Sequence, residues 1–176
     1  MPKIITFSRV FPAYHPRKGE PTYFVEAILN SVMPKKANGI INRNDIPQNV
    51  LDIINYFVIL DGDTQKHHTI RAGNRWKVGD KFSPRVWSGK PYNSKQIIIA
   101  PDIEIVKVWD IEIKVKPKND LSGFADILIN GNKIDAEFLK QVAANDGLTL
   151  GDLLRWFQYP KPFKGQIICW NPNVKY

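Results

Sequence analysis

The sequence carries one cysteine, three histidines and no unbroken apolar run of membrane-spanning length. The lone Cys169 cannot close an internal disulfide, and with His15, His67 and His68 it makes no spaced ligand set of the structural-zinc kind. No metal and no cofactor is implied. Met1-Pro2-Lys3 passes directly into the strand-like Ile4-Ile5-Thr6-Phe7, without the apolar core of a signal peptide. A reducing, cytoplasmic setting away from membranes is the expectation. Carboxylates are scarce too: 17 Asp and Glu stand against 25 Lys and Arg, a formal charge of +8 that favours anionic partners.

What is present fits one domain, because 176 residues are enough to bury a core without staples. The positive charge is concentrated. Between Thr64 and Lys118 there are twelve basic and five acidic residues, so this third of the chain holds most of the net charge. Lysines on exposed strand faces that keep sheet edges from pairing are one reading of this excess. An anion-binding face is the other.

Along the chain, the strand Lys3 to Phe7 leads into a Pro- and Gly-broken loop through Gly19. Phe24, Ala27, Ile28 and Ser31 then fall at helical spacing after Pro21-Thr22, and this helix should end before Pro34. Val50, Ile53, Ile54, Phe57 and Val58 repeat the pattern up to Asp61-Gly62-Asp63. From Lys66 the period becomes two, with strands expected at Lys81 to Trp87, Gln96 to Ala100, Ile103 to Val108 and Ile111 to Val115. Pro84 assigns the first of these to an edge or a bulge. Phe124 to Ile129 with Asn130-Gly131 reads as a hairpin arm and its turn. Helices capped by Asp135 and opened by Thr149 with Asp152 follow, and Gln166 to Trp170 is a last strand. The order suits an α+β fold, a small mixed barrel with helices at its openings whose terminal strands pair across the closure.

Ile5-Thr6-Phe7, Lys66-x-x-Thr69-Ile70-Arg71, Trp76-Lys77-Val78-Gly79-Asp80, Gly147-Leu148-Thr149-Leu150 and Gln166-Ile167-Ile168 recur in this order in ASCH domains of the PUA-like superfamily. The chain resembles their small single-domain members, which include the bacterial N4-acetylcytidine amidohydrolase. That resemblance implies a PUA-like mixed β-barrel over residues 1–176, with flanking helices, a cleft over Lys66 to Arg71, and a helical insertion at about residues 12–65. It also implies a catalytic lysine and threonine at Lys66 and Thr69. The place of the family's glutamate is taken by Asp146, one methylene shorter.

Amide hydrolysis would use Thr69 as nucleophile, a neutral Lys66 to take its proton and Asp146 to serve the leaving amine. In a regular strand His67, Thr69 and Arg71 share one face, while Lys66, His68 and Ile70 point to the other, so Lys66 must lie in the preceding turn to join Thr69. Arg71 offers a planar fork to phosphate or carboxylate, and an ion pair with Asp80 is its structural alternative. His67 is either a base, a stacking ring or simply packed. Arg75, Trp76 and Lys77, with Trp76 expected to be exposed in the turn, complete a surface suited to phosphates and unpaired bases. Trp87 and Tyr92 interleave with Arg85 and Lys90 in the same way. The functional expectation is recognition of RNA or a modified nucleoside or nucleotide. Hydrolysis of an N4-acylcytidine is the alternative, and a protein-interaction module using the inserted helices is the third.

Overall fold

A computed structural model describes residues 2–116, 125–158 and 162–176. In chain order its elements are β1 (Lys3–Thr6), α1 (Phe24–Val32), a 3-10 turn (Arg43–Asp45), α2 (Gln48–Leu51), α3 (Tyr56–Leu60), β2 (His68–Ala72), β3 (Lys81–Trp87), β4 (Gln96–Ile98), β5 (Ile103–Glu104), β6 (Lys107–Val115), β7 (Ala125–Ile129), β8 (Asn132–Lys133), α4 (Ala136–Asn145), α5 (Leu150–Trp156) and β9 (Phe163–Cys169). They divide into two compact units: Met1–Lys66 with Asp80–Glu104, and His67–Gly79 with Ile105–Tyr176. Phe124 and Lys118, which entered the strand and charge expectations, lie outside the described residues.

In the first unit β3 is the central strand. It runs parallel to β1 on one side, with Ile5 opposite Pro84, and antiparallel to β4 and β5 on the other. The pairing breaks between Arg85 opposite Ile98 and Phe82 opposite Ile103. Ser83 and Pro84 fall in that gap, where a residue without an N–H disturbs least, and the Pro84 carbonyl still accepts from Ile99 N at 3.1 Å. Phe82, Pro84 and Val86 turn inward with Ile5 and Phe7. The apolar residues Phe24, Val25, Ala27, Ile28 and Leu29 of α1 are buried, and the helix stops at Val32, two residues before Pro34. The second helical stretch divides into α2 and α3 because the Asn55 side chain accepts from Phe57 N and starts a new helix. Residues 12–65 thus hold α1 to α3, all in this unit.

The second unit is a five-stranded antiparallel sheet in the order β2-β9-β6-β7-β8. Its register sets Thr69 opposite Ile168 and Arg71 opposite Gln166. Along β6, Trp109, Ile111 and Ile113 are buried while Asp110, Glu112 and Lys114 are exposed, the alternation of a strand with one core face. The expected strand Ile103 to Val108 is therefore divided: Ile103 and Glu104 form β5, while Lys107 and Val108 run on into the expected Ile111 to Val115 as β6. Asn130 and Gly131 take φ of 48° and 79°, the left-handed pair that a two-residue hairpin turn requires. Asp135 caps α4 and Thr149 caps α5 with their side chains, as their positions suggest. Between these helices Gly147 N donates to Ala144 O and Leu148 N to Ala143 O, and Gly147 has φ 73°. This helix ending leaves Asp146 as the last residue in helical conformation.

The mixed β-barrel expected from strand order and from the PUA-like resemblance is absent among the described residues, where neither sheet closes. The physical reason lies in β9. Both of its edges are occupied, by β2 and β6, so it has none to offer β1, which pairs with β3 instead. The α+β class stands, with two open sheets. No helix among the described residues is long and apolar enough to cross a membrane.

Candidate functional site

The polar groups singled out in the sequence gather mainly in the second unit, around β2 and the loop that follows it. His67 precedes the strand. Its N–H donates to Asn145 O at 2.7 Å and its carbonyl accepts from Trp170 N at 3.1 Å. The Asn171 Oδ1 accepts from Asn173 N at 2.9 Å, which turns the Asn171 Nδ2 toward His67 Nδ1 at 3.0 Å. An amide nitrogen only donates, so His67 Nδ1 accepts and its proton sits on Nε2. Burial holds its pKa below the ordinary histidine value.

A stability consequence follows from that shift. As pH falls through the ordinary histidine range the unfolded chain binds a proton at residue 67 that the folded chain does not, so folding weakens toward acid. Thermal midpoints measured from pH 7.5 to 5 should fall less steeply for His67→Gln than for the parent protein. Parallel curves would show that residue 67 contributes nothing to the slope.

His68, on the core face of β2, is fully buried. Its Nε2 lies 3.1 Å from the Val142 carbonyl, which can only accept, so Nε2 carries a proton. Its Nδ1 faces Asp146 Oδ1 at 3.5 Å, and its ring stands edge-on to Tyr176 with centroids 5.5 Å apart. The Asn145 amide donates to the Tyr176 hydroxyl at 2.9 Å, and burial pushes that phenol well above its ordinary pKa. Asp146 sits at the C-terminal end of α4, where the helix dipole opposes a carboxylate. The attraction of Arg71 counters this.

Arg71 and Thr69 occupy the other face of β2. Burial lowers the Arg71 pKa to about 10, Asp146 opposes that shift and the charge of Arg75 adds to it. Arg71 therefore remains a cation at neutral pH. Opposite it, Gln166 fastens the following loop: Trp76 N donates to Gln166 Oε1 at 3.0 Å, and Gln166 Nε2 donates to Trp76 O at 3.3 Å. Gly79 N closes the loop on Ile105 O at 2.8 Å. This tether corrects the expected exposure of Trp76. The residue is only 2% exposed, because Gln166 holds its backbone inward; what the loop presents outward is Arg75 and Lys77. The Arg75 guanidinium lies 5.5 Å from the Trp76 ring centroid.

Lys66 ends the first segment of the first unit. It is 1% exposed, its N–H donates to Ala27 O at 3.0 Å, and its Nζ lies 4.1 Å from the Phe24 ring centroid and 6.0 Å from that of Phe7. Asp80, the sequence-level partner suggested for Arg71, is bonded to Lys3 at 2.6 Å. His68 and Gln166 are the structural members of the cluster that the sequence reading passed over. Strand parity with Ile70 was the available signal for His68. For Gln166 it was an amide at the head of an apolar strand. Among the described residues no group of three or more His, Cys, Asp and Glu side chains gathers to hold a metal ion.

The described parts define an α+β chain of two open sheets, the second carrying a cationic loop beside a half-buried arginine. No protein-family model, curated protein or solved structure matches this chain. The likeness to ASCH domains thus rests on the ordered motifs alone.

Proposed function

We propose that the chain binds RNA or a modified nucleotide through Arg71, Arg75 and Lys77 of the second unit. The observation that carries this reading is the placement of the cations: Arg75 and Lys77 are exposed on the loop that follows the half-buried Arg71, and Gln166 fastens that loop through the Trp76 backbone. An anion at this loop would meet three cations from one short segment. Phosphate fits the arginine forks bidentately. Thr69 adds a hydroxyl on the face that Arg71 shares.

Hydrolysis of an N4-acylcytidine makes different demands. It needs Lys66 to take the Thr69 proton and Asp146 to serve the leaving amine, whereas the Asp146 carboxylate already faces His68 Nδ1 at 3.5 Å at the end of α4. Binding is the reading better supported.

The test is a titration of a labelled single-stranded RNA over a salt series, with N4-acetylcytidine incubated in parallel and assayed for free cytidine. Arg71→Gln should weaken binding roughly ten-fold, the worth of one charged hydrogen bond. Arg75→Gln with Lys77→Gln, both at exposed positions, should reduce the salt slope by about 1.4 if each meets a phosphate of the single strand. Affinity and slope unchanged in all these variants would end the reading. Cytidine release lost in Lys66→Ala and Thr69→Ala would replace it with the hydrolase.

A further inference from the structure

We propose that the loop 88–95 and the adjoining outer face of β3 and β4, in the first unit, form a stacking platform for unpaired bases of single-stranded nucleic acid. This extends the ligand class proposed above to a second surface and rests on that reading. Tyr92 is 87% exposed, and its ring centroid lies 5.3 Å from that of the half-buried Trp87, with the planes 50° apart. Its backbone has φ 65°, a region where a residue with a Cβ is disfavoured and where glycine or asparagine would serve a mere turn. Such strain at an exposed aromatic is characteristic of a functional position.

The loop that carries Tyr92 is internally hydrogen-bonded. Ser88 N donates to Lys95 O at 2.9 Å and Gly89 N to Ser94 Oγ at 3.0 Å, while Ser94 Oγ donates to Lys90 O at 2.9 Å and Asn93 N to Lys90 O at 3.2 Å. The platform is therefore organised before a ligand arrives. Strand register places Arg85 and Trp87 on one face with Ile98 and Gln96, and Ile98 is 49% exposed. Arg85 Nη1 donates to Gln96 Oε1 at 3.2 Å, and Arg9 Nη1 reaches Ser88 O at 3.4 Å. From Arg85 to Ile98 the chain has three cations, Arg85, Lys90 and Lys95, and no carboxylate.

A partly exposed aromatic pair in a segment with three cations and no carboxylate suits a polyanion whose bases are free to stack. A duplex hides its base faces, which selects the single strand. An acidic peptide would satisfy the cations but leave the aromatic pair unused.

The experiment follows the anisotropy of a 5′-labelled decauridylate between low and physiological salt. Tyr92→Ala should weaken binding roughly ten-fold at every salt concentration without altering the slope, because stacking releases no counterions. Tyr92→Phe should retain binding, and Lys90→Gln with Lys95→Gln should reduce the slope by about 1.4. Parent-like affinity in Tyr92→Ala overturns the platform, as does equal affinity for duplex RNA or displacement by polyglutamate at equal charge. Weakening by Arg71→Gln but not Tyr92→Ala would leave the 71–77 site standing and remove this one. Weakening by Tyr92→Ala alone would do the reverse, and a parent protein that binds no decauridylate overturns both.

Discussion

Gly165→Ala is expected to destabilise the protein by about 3 kcal/mol, the upper part of the usual range for overpacking a core. Gly165 lies in β9 between Ala72 of β2 and Ile111 of β6. A Cβ there would land on the Arg71 carbonyl oxygen, deep inside van der Waals contact, and 2.8 Å from two ring carbons of Phe163. The carbonyl belongs to a strand already in register and cannot retreat without opening the pairing. Phe163 is packed against Phe157, with centroids 4.6 Å apart. For a chain of this length the thermal midpoint should drop by roughly 6–12 °C. Gly73→Ala is the control, since a Cβ there meets nothing within 4 Å and only its φ of 80° resists the change, at about 1 kcal/mol. Equal midpoints for the two variants would refute the steric account.

Asp146→Ala should cost a similar or larger amount, about 3–5 kcal/mol, because it leaves a buried partner without its carboxylate. His68 Nε2 is occupied by Val142 O, so Nδ1 is the nitrogen that loses its facing oxygen. Arg71 loses an attraction that keeps its proton in place. Asp146→Asn should be milder, since the amide keeps the side-chain volume and an oxygen beside Nδ1. The decisive measurement is a double-mutant cycle by chemical denaturation with His68→Leu: the combined loss should fall short of the sum of the two single losses. Additivity would mean that the 3.5 Å approach carries no energy.

Much of the local structure is legible in the residues. Asp135, Thr149 with Asp152, Pro34 and Asn130-Gly131 each mark an element boundary through hydrogen bonds or dihedrals spanning only a few positions. Strand parity likewise separated Thr69 and Arg71 from His68 and Ile70. Other features were not legible, because their partners are distant in sequence. Trp76 reads as an exposed turn residue until Gln166, ninety positions away, is seen to hold its backbone. His68 reads as one of two conspicuous histidines until α4 brings Val142 and Asp146 against it. Phe57 keeps the helical period of a core residue and yet is exposed, because Asn55 restarts the helix and resets its face.

The sequence by itself determined the α+β character, the helix caps, the turn at Asn130-Gly131 and the concentration of cations in the central third, since these depend on composition and on bonds between near neighbours. Only the tertiary structure decided which strands pair. Periodicity says that a strand has a buried face but not which edge meets which, and β9, with both edges filled by β2 and β6, turned an expected barrel into two open sheets. The same long-range pairing set Gly165 against the Arg71 carbonyl and Gln166 beneath the cationic loop.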